Sequence, residues 1–144
     1  MAEVTFKVIC DTNIGDLVCL VGNIPELNSW NKLYPIFLSS ENYSSECHLW
    51  QSDKLILPLD TSIEYKFFIK DGSNKIIWEQ LPGNANHMLY FKTKQKATVL
   101  GIFGNVNRQI SLSENEFVKE DMKEDVNSMD FKFSSVISFI TKGK

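Results

Sequence analysis

The fold is decided by residues 63–79, which read IEYKFFIKDGSNKIIWE. The first eight of these residues are rich in β-branched and aromatic side chains, which is typical of a strand. The next four supply the Asp, Gly and Asn that a tight hairpin turn needs, and the remainder predicts the partner strand. Alternation along the first strand separates two faces. An inward face holds Tyr65, Phe67 and Ile69, and an outward face holds Glu64, Lys66 and Phe68.

Short apolar segments of the same kind recur on both sides of this hairpin. They lie at residues 4–10, 17–22, 36–38, 48–51, 54–57, 88–91 and 97–103. Pro25 excludes a regular strand over residues 24–30 and favours one helical turn there. Short strands with turn signals between them predict an all-β, antiparallel β-sandwich. We assign this domain to residues 1–105.

The composition changes near Ser111, where an acidic stretch begins and is followed by the apolar run of residues 131–140. We treat residues 106–144 as a C-terminal extension, acidic and then apolar. An exposed apolar run of that length would promote association, so it needs to be covered. We expect it to dock on the sandwich, to join two chains as a homodimer, or to recruit a partner enzyme.

Charge and composition exclude several partners. The net charge is −3 over 144 residues, without a basic stripe, which argues against nucleic acid and anionic membranes. No apolar run approaches the ~20 residues of a membrane span, and the N-terminus has no secretory signal pattern. Three cysteines without metal-ligand spacing predict buried thiols at Cys10 and Cys19, no bound metal and a cytoplasmic location. No phosphate-binding loop is present, and we expect no cofactor.

Two tryptophans, Trp30 and Trp78, stand in loop-like settings among polar side chains. A flat indole packs well against the C–H groups of a sugar ring, while neighbouring polar groups bind its hydroxyls. The alternative interpretation is that both indoles belong to the core, because tryptophan is usually largely buried.

The segment of residues 4–91 resembles the family 20 carbohydrate-binding modules, the starch-binding domains. Four motifs occur in that family's order and spacing. They are residues 21–30 (VGNIPELNSW), Glu64 to Phe67, Lys70-Asp71-Gly72 and Trp78-Glu79. The resemblance implies an immunoglobulin-like sandwich that carries two glucan sites.

In the first site, the resemblance implies that Trp30 and Trp78 stack on adjacent glucose rings of an α-1,4-glucan. Lys66 and Glu79 match the residues that hydrogen-bond the sugar hydroxyls. The family's asparagine is assigned to Asn84, with Asn86 as the alternative.

The second site matches less well. One of its two aromatic positions is occupied by Ile14, which has no flat stacking face, and the other is Tyr43. We therefore expect this site to be weak or lost. Trp50 matches the family's structural tryptophan and is assigned to the core.

The predicted function is non-catalytic binding of starch, glycogen, an amylopectin-like polysaccharide or a maltooligosaccharide. A glycosidase would need two carboxylates across a cleft, and Glu64 with Glu79 is the one pair that invites that interpretation. The alternative function is a regulatory or targeting subunit whose tail brings a partner enzyme to the glucan. Residues 65–68 (YKFF) are also similar to a strand of the glycogen-binding modules of kinase regulatory subunits.

Overall fold

Ten strands in two sheets make up the domain in a computed structural model that describes residues 1–113. The strands are β1 (Ala2–Ile9), β2 (Leu17–Gly22), β3 (Ile36–Phe37), β4 (Leu49–Gln51), β5 (Leu55–Leu57), β6 (Ile63–Lys70), β7 (Ile76–Trp78), β8 (His87–Leu89), β9 (Gln95–Ile102) and β10 (Arg108–Ser113). The all-β sandwich that the sequence predicts is confirmed.

The first sheet has the order β10-β9-β1-β4, and β5 pairs with the other end of β1 on the same edge as β4. The second sheet has the order β3-β2-β6-β7, and β8 pairs with the beginning of β6. All pairs are antiparallel except β1 with β9, which run parallel from Ala2 opposite Gln95 to Ile9 opposite Ile102.

The hairpin at residues 63–79 forms as the alternation predicts. Tyr65, Phe67 and Ile69 lie in the main core, and Lys66 is partly exposed on the opposite face. In the turn, Asp71 Oδ1 accepts hydrogen bonds from the backbone N–H groups two and four residues later, at 2.8 and 2.9 Å. The Asp side chain therefore fixes the turn that the sequence marks.

The core fills the space between the sheets with alternate residues of the long strands. In β1 these are Ala2, Val4, Phe6 and Val8, which are all fully buried. Facing them are alternate residues of β2 and β6, chiefly Val18, Leu20, Tyr65 and Phe67. Such period-two burial is what one covered face of a sheet produces.

The structure extends the sandwich beyond the predicted boundary. Residue 105 lies in the turn after β9, and β10 then returns antiparallel to β9, with Ile110 and Leu112 packed against the core. The domain thus reaches at least Ser113. The run of residues 131–140 and most of the acidic stretch lie outside the described residues.

Cys10 and Cys19 are buried thiols, as predicted, and burial raises their pKa values to about 12 and about 11. In residues 1–113 no three His, Cys, Asp or Glu side chains are placed to hold a metal ion. The same residues contain no helix long and apolar enough to span a membrane.

Candidate functional site

The outer face of the second sheet brings two of the predicted site residues together. Strand register places Cys19 opposite both Phe37 and Phe68, and Phe68 opposite Trp78. Lys66 is two residues before Phe68 on β6, and it lies opposite Val21 of β2. Because alternate residues share a face, Lys66 and Trp78 lie on one surface and in adjacent rows.

Trp78 packs against Phe68, its direct partner on the neighbouring strand. The two ring centroids are 4.8 Å apart and the rings are tilted by 54°. Trp78 is partly buried and belongs to a small cluster with Cys19, Val21 and Phe68, which is separate from the main core. A half-buried indole on an outer sheet face is held in place and still offers surface to a ligand.

Trp30 ends a short 3₁₀ segment, Pro25–Trp30, that follows β2. Pro25 begins the turn, and Leu27 is fully buried and anchors it to the core. Asn28, Ser29 and Trp30 then adopt left-handed backbone angles, with φ of 60°, 48° and 61°. Trp30 is left 37% exposed at the end of the loop. The interpretation of Trp30 as a core residue is therefore not what the structure shows.

Gly22 and Asn23 hold this loop against β6. A Cβ on Gly22 would lie 2.5 Å from the Glu64 carbonyl oxygen and 2.5 Å from Leu27 Cδ1, so no side chain fits there. Asn23 Oδ1 accepts a hydrogen bond from the Glu64 backbone N–H at 2.9 Å, and Asn23 Nδ2 donates to the Ser62 carbonyl at 3.2 Å. The Gly-Asn pair thus explains why the loop leaves the sheet where it does.

The two candidate asparagines occupy different surroundings. Asn84 is exposed, with φ 55°, at the end of the short 3₁₀ segment Pro82–Asn84. Asn86 is partly buried, and its Nδ2 donates to Glu64 Oε1 at 3.3 Å. Glu64 shares the outer face with Lys66, so Asn86 contacts a side chain of that face.

Glu79 is not on that face, which corrects its assignment as a group that hydrogen-bonds sugar. The side chain is fully buried. Its Oε1 accepts a hydrogen bond from the Phe67 backbone N–H, and its Oε2 accepts one from the Gly104 N–H, both at 2.9 Å. The carboxylate therefore joins β6 to the turn between β9 and β10, and no part of it is open to a ligand.

A buried polar group continues from Glu79 to His87 on β8, which borders β6 on the same side as β7. His87 Nε2 lies 2.8 Å from Glu79 Oε1, and the His87 ring stacks on Tyr65 with centroids 4.9 Å apart. The Tyr65 hydroxyl accepts a hydrogen bond from Arg108 Nη1 at 2.9 Å. Burial raises the pKa of Tyr65 to about 12, so it stays neutral at physiological pH. Neither His87 nor Arg108 is among the site residues predicted from the sequence.

A separate depression marks the predicted second site. It has a volume of about 430 Å³ and is lined by the 12–16 turn together with Ser40, Tyr43 and Trp50. Ile14 is fully exposed at this turn. One face of Tyr43 stacks on His48, with centroids 4.8 Å apart and planes 7° from parallel, and its edge meets Trp50. Trp50 itself is buried, as predicted.

Comparison with known proteins identifies the family. The family model described as a starch binding domain matches residues 1–100. The chain belongs to this family. Among curated proteins, it is 40% identical over 80 residues to Glucoamylase-1 of Arthroderma benhamiae, covering 56% of this chain and 13% of that protein. It is 35% identical over 85 residues to an AA13 family lytic polysaccharide monooxygenase A of Aspergillus terreus, covering 59% and 21%.

Solved structures agree on the fold. The family 20 module of the maltotetraose-forming amylase from Pseudomonas saccharophila superposes with a TM-score of 0.51 at 22% identity, over 70% of this chain and 99% of that one. The gamma-CGTase of alkalophilic Bacillus clarkii gives 0.59 at 36% identity, over 70% of this chain and 15% of that one. The starch-binding domain thus corresponds to a small part of the longer relatives.

Family membership supports binding of starch or a related α-glucan polysaccharide by this domain. Family 20 modules are non-catalytic and separate from the catalytic domains of the glucoamylases that carry them. The prediction that the domain is not an enzyme is therefore confirmed by its family.

Proposed function

We propose that the starch-binding domain holds an α-1,4-glucan by stacking glucose rings on Trp30 and Trp78. The observation that carries this proposal is the placement of Trp78, a half-buried indole braced by Phe68 on an outer sheet face. Bracing matters because a fixed ring loses little conformational entropy when it binds. Trp30 adds a second exposed indole on a loop that Leu27 anchors.

Lys66 supplies the polar contact in this proposal. It lies in the row next to Trp78 and is partly exposed, so its amine is able to donate to sugar hydroxyls. Asn84 or Asn86 provides an amide, and Asn86 is preferred because it already contacts Glu64 on the same face. Glu79 acts only indirectly, because its buried carboxylate holds the backbone next to Trp78.

The test is a calorimetric titration with maltoheptaose or β-cyclodextrin. A shallow, open site gives affinities on the order of micromolar to millimolar. Trp30→Leu and Trp78→Leu keep an apolar side chain but remove the flat ring, and each should abolish most binding. Tyr90→Ala is the matched control, because Tyr90 is an aromatic residue 58% exposed beyond the end of β8. Full binding by both tryptophan variants would disprove the stacking proposal.

A glycogen-like ligand and a cytoplasmic location belong to the same proposal. The support for the location is chemical: Cys10 and Cys19 are buried thiols, as expected in a reducing compartment. Competition between soluble starch and glycogen for the domain would rank the ligands. Microscopy of the tagged chain in its own cells would show its compartment.

The second proposed function is recruitment of a partner enzyme by the C-terminal extension. The favouring observation is topological. The family match ends at residue 100, whereas β10 continues the first sheet to Ser113 and leads into residues 114–144. Truncation after Ser113 should change glucan affinity by less than about threefold, or under ~1 kcal/mol, and should abolish capture of the partner. Loss of glucan binding in a folded truncated domain would show that the tail builds the site.

A further inference from the structure

The aromatic surface of the second sheet does not end at Trp78. One row of directly paired residues crosses four of the five strands of that sheet, from Trp78 on β7 through Phe68 and Cys19 to Phe37 on β3. Adjacent strands lie about 4.8 Å apart, so three steps separate the backbone positions at the two ends of the row by about 14 Å. Trp78 and Phe37 thus stand at opposite ends of one row on one face.

Phe37 is exposed, whereas the two residues in the middle of the row are buried. Cys19 and Phe68 are fully buried, whereas Phe37 is 49% exposed on the short edge strand β3. Single exposed apolar residues are common and need no explanation by themselves. The distinguishing feature here is that the exposed ring continues a row whose other end is the proposed sugar platform.

Amines flank this row on both sides. Lys66 lies in the row on one side, opposite Val21, and Lys70 lies in the row on the other side, opposite Leu17. The Lys70 amine is 5.9 Å from the centroid of the Phe37 ring. Flat rings at the two ends, with hydrogen-bond donors along both sides, match an elongated ligand that has apolar faces and hydroxyl edges.

We propose that Phe37 is an additional stacking residue, which lets a longer α-1,4-glucan chain continue from Trp78 across the sheet. The proposal rests on the glucan-binding function proposed above. In it, Lys70 donates to hydroxyls of the glucose unit that stacks on Phe37, as Lys66 does near Trp78. A short oligosaccharide that occupies Trp78 does not reach Phe37.

The experiment compares binding of maltotriose and of maltoheptaose to the full chain of 144 residues. Phe37→Leu retains apolar cover over Cys19 but has no flat face. It should lower maltoheptaose affinity by about three- to tenfold, the range of one aromatic contact, and leave maltotriose affinity unchanged. Phe37→Trp enlarges the ring and should recover or increase maltoheptaose affinity. Tyr90→Ala should change neither ligand.

Two results would overturn the proposal. Phe37→Leu could bind both oligosaccharides like the unaltered chain, or it could lose affinity for both by the same factor. Trp78→Leu distinguishes these two results from a failure of the proposed glucan binding. That variant should lose affinity for both maltotriose and maltoheptaose. If Trp78→Leu kept both, the stacking proposal itself would be wrong, and Phe37 would have no platform to extend.

Discussion

Replacing Glu79 with glutamine should weaken the fold far more than it weakens glucan binding. In the structure each carboxylate oxygen accepts a backbone N–H, from Phe67 and from Gly104, at 2.9 Å. Glutamine keeps one oxygen and replaces the other by an N–H₂ donor. One of the two backbone N–H groups would then face another donor inside the protein.

A buried donor left without an acceptor costs about 1–3 kcal/mol, and bonds to a charged acceptor lie at the upper end of that range. We therefore expect Glu79→Gln to lower the free energy of unfolding by about 2–3 kcal/mol. For a domain that spans residues 1–113, each kcal/mol corresponds to about 4 °C in Tm. His87 lies 2.8 Å from the same carboxylate, so the variant also disturbs a second buried side chain.

The assay is urea unfolding followed by tryptophan fluorescence, together with maltoheptaose titration at a temperature where both proteins are folded. Affinity should change by less than about threefold, under ~1 kcal/mol, because Glu79 has no exposed atom to offer the sugar. Glu64→Gln is the control, since Glu64 is a partly exposed carboxylate of the outer face. Unchanged unfolding with lost binding in Glu79→Gln would refute the structural role and restore the direct contact.

Three further predictions concern the sites and the loop. Lys66→Ala should weaken maltoheptaose binding by about 1–3 kcal/mol, measured by calorimetry, with little change in Tm, because Lys66 is partly exposed. Gly22→Ala should destabilise the domain by about 1–3 kcal/mol in urea unfolding, because its Cβ would lie 2.5 Å from Leu27 Cδ1; a neutral result would mean that the loop moves freely. Calorimetry should find one strong site per chain, because Ile14 offers no flat ring at the second site. Tyr43→Ala should therefore leave the strong site intact. Two sites of equal affinity would contradict this prediction.

The hairpin of residues 63–79 could be predicted because its information is local. The alternation of residues along β6 predicted which side chains face the core. Asp71 predicted the position of the turn, where its side chain accepts backbone hydrogen bonds. The helical turn after β2 could be predicted for the same reason, since Pro25 excludes a strand and sets the first backbone angle. Trp30 at the end of this loop and Lys66 on the outer face of β6 both have the positions that these local patterns predict.

Glu79 was misassigned although the signal was available. Trp78 and Glu79 are neighbours at the end of one strand, and neighbouring strand residues face opposite sides. If Trp78 is on the outer face, Glu79 points inward. β10 carried a similar signal in the alternation of Ile110 and Leu112, which the change in composition near Ser111 obscured.

The contacts of Glu79 could not be predicted from the sequence. Its partners Gly104 and His87 are brought to it by the packing of the first sheet's β9–β10 turn and by the pairing of β8 with β6. The row from Trp78 to Phe37 has the same origin. It depends on the register of three strand pairs, and a shift of one residue in any of them would break it.

The position of β10 determines how the domain would respond to mechanical load. Within the described residues β10 pairs with β9 alone, and the chain leaves it at Ser113. A pull applied through the following residues would peel β10 from that end, one hydrogen bond after another. Peeling would reach Arg108 last, whose guanidinium donates to the Tyr65 hydroxyl and to the Met88 carbonyl on the second sheet. A tethered cargo would thus strain the edge strand first, and the face that carries Trp78 would be protected from the force.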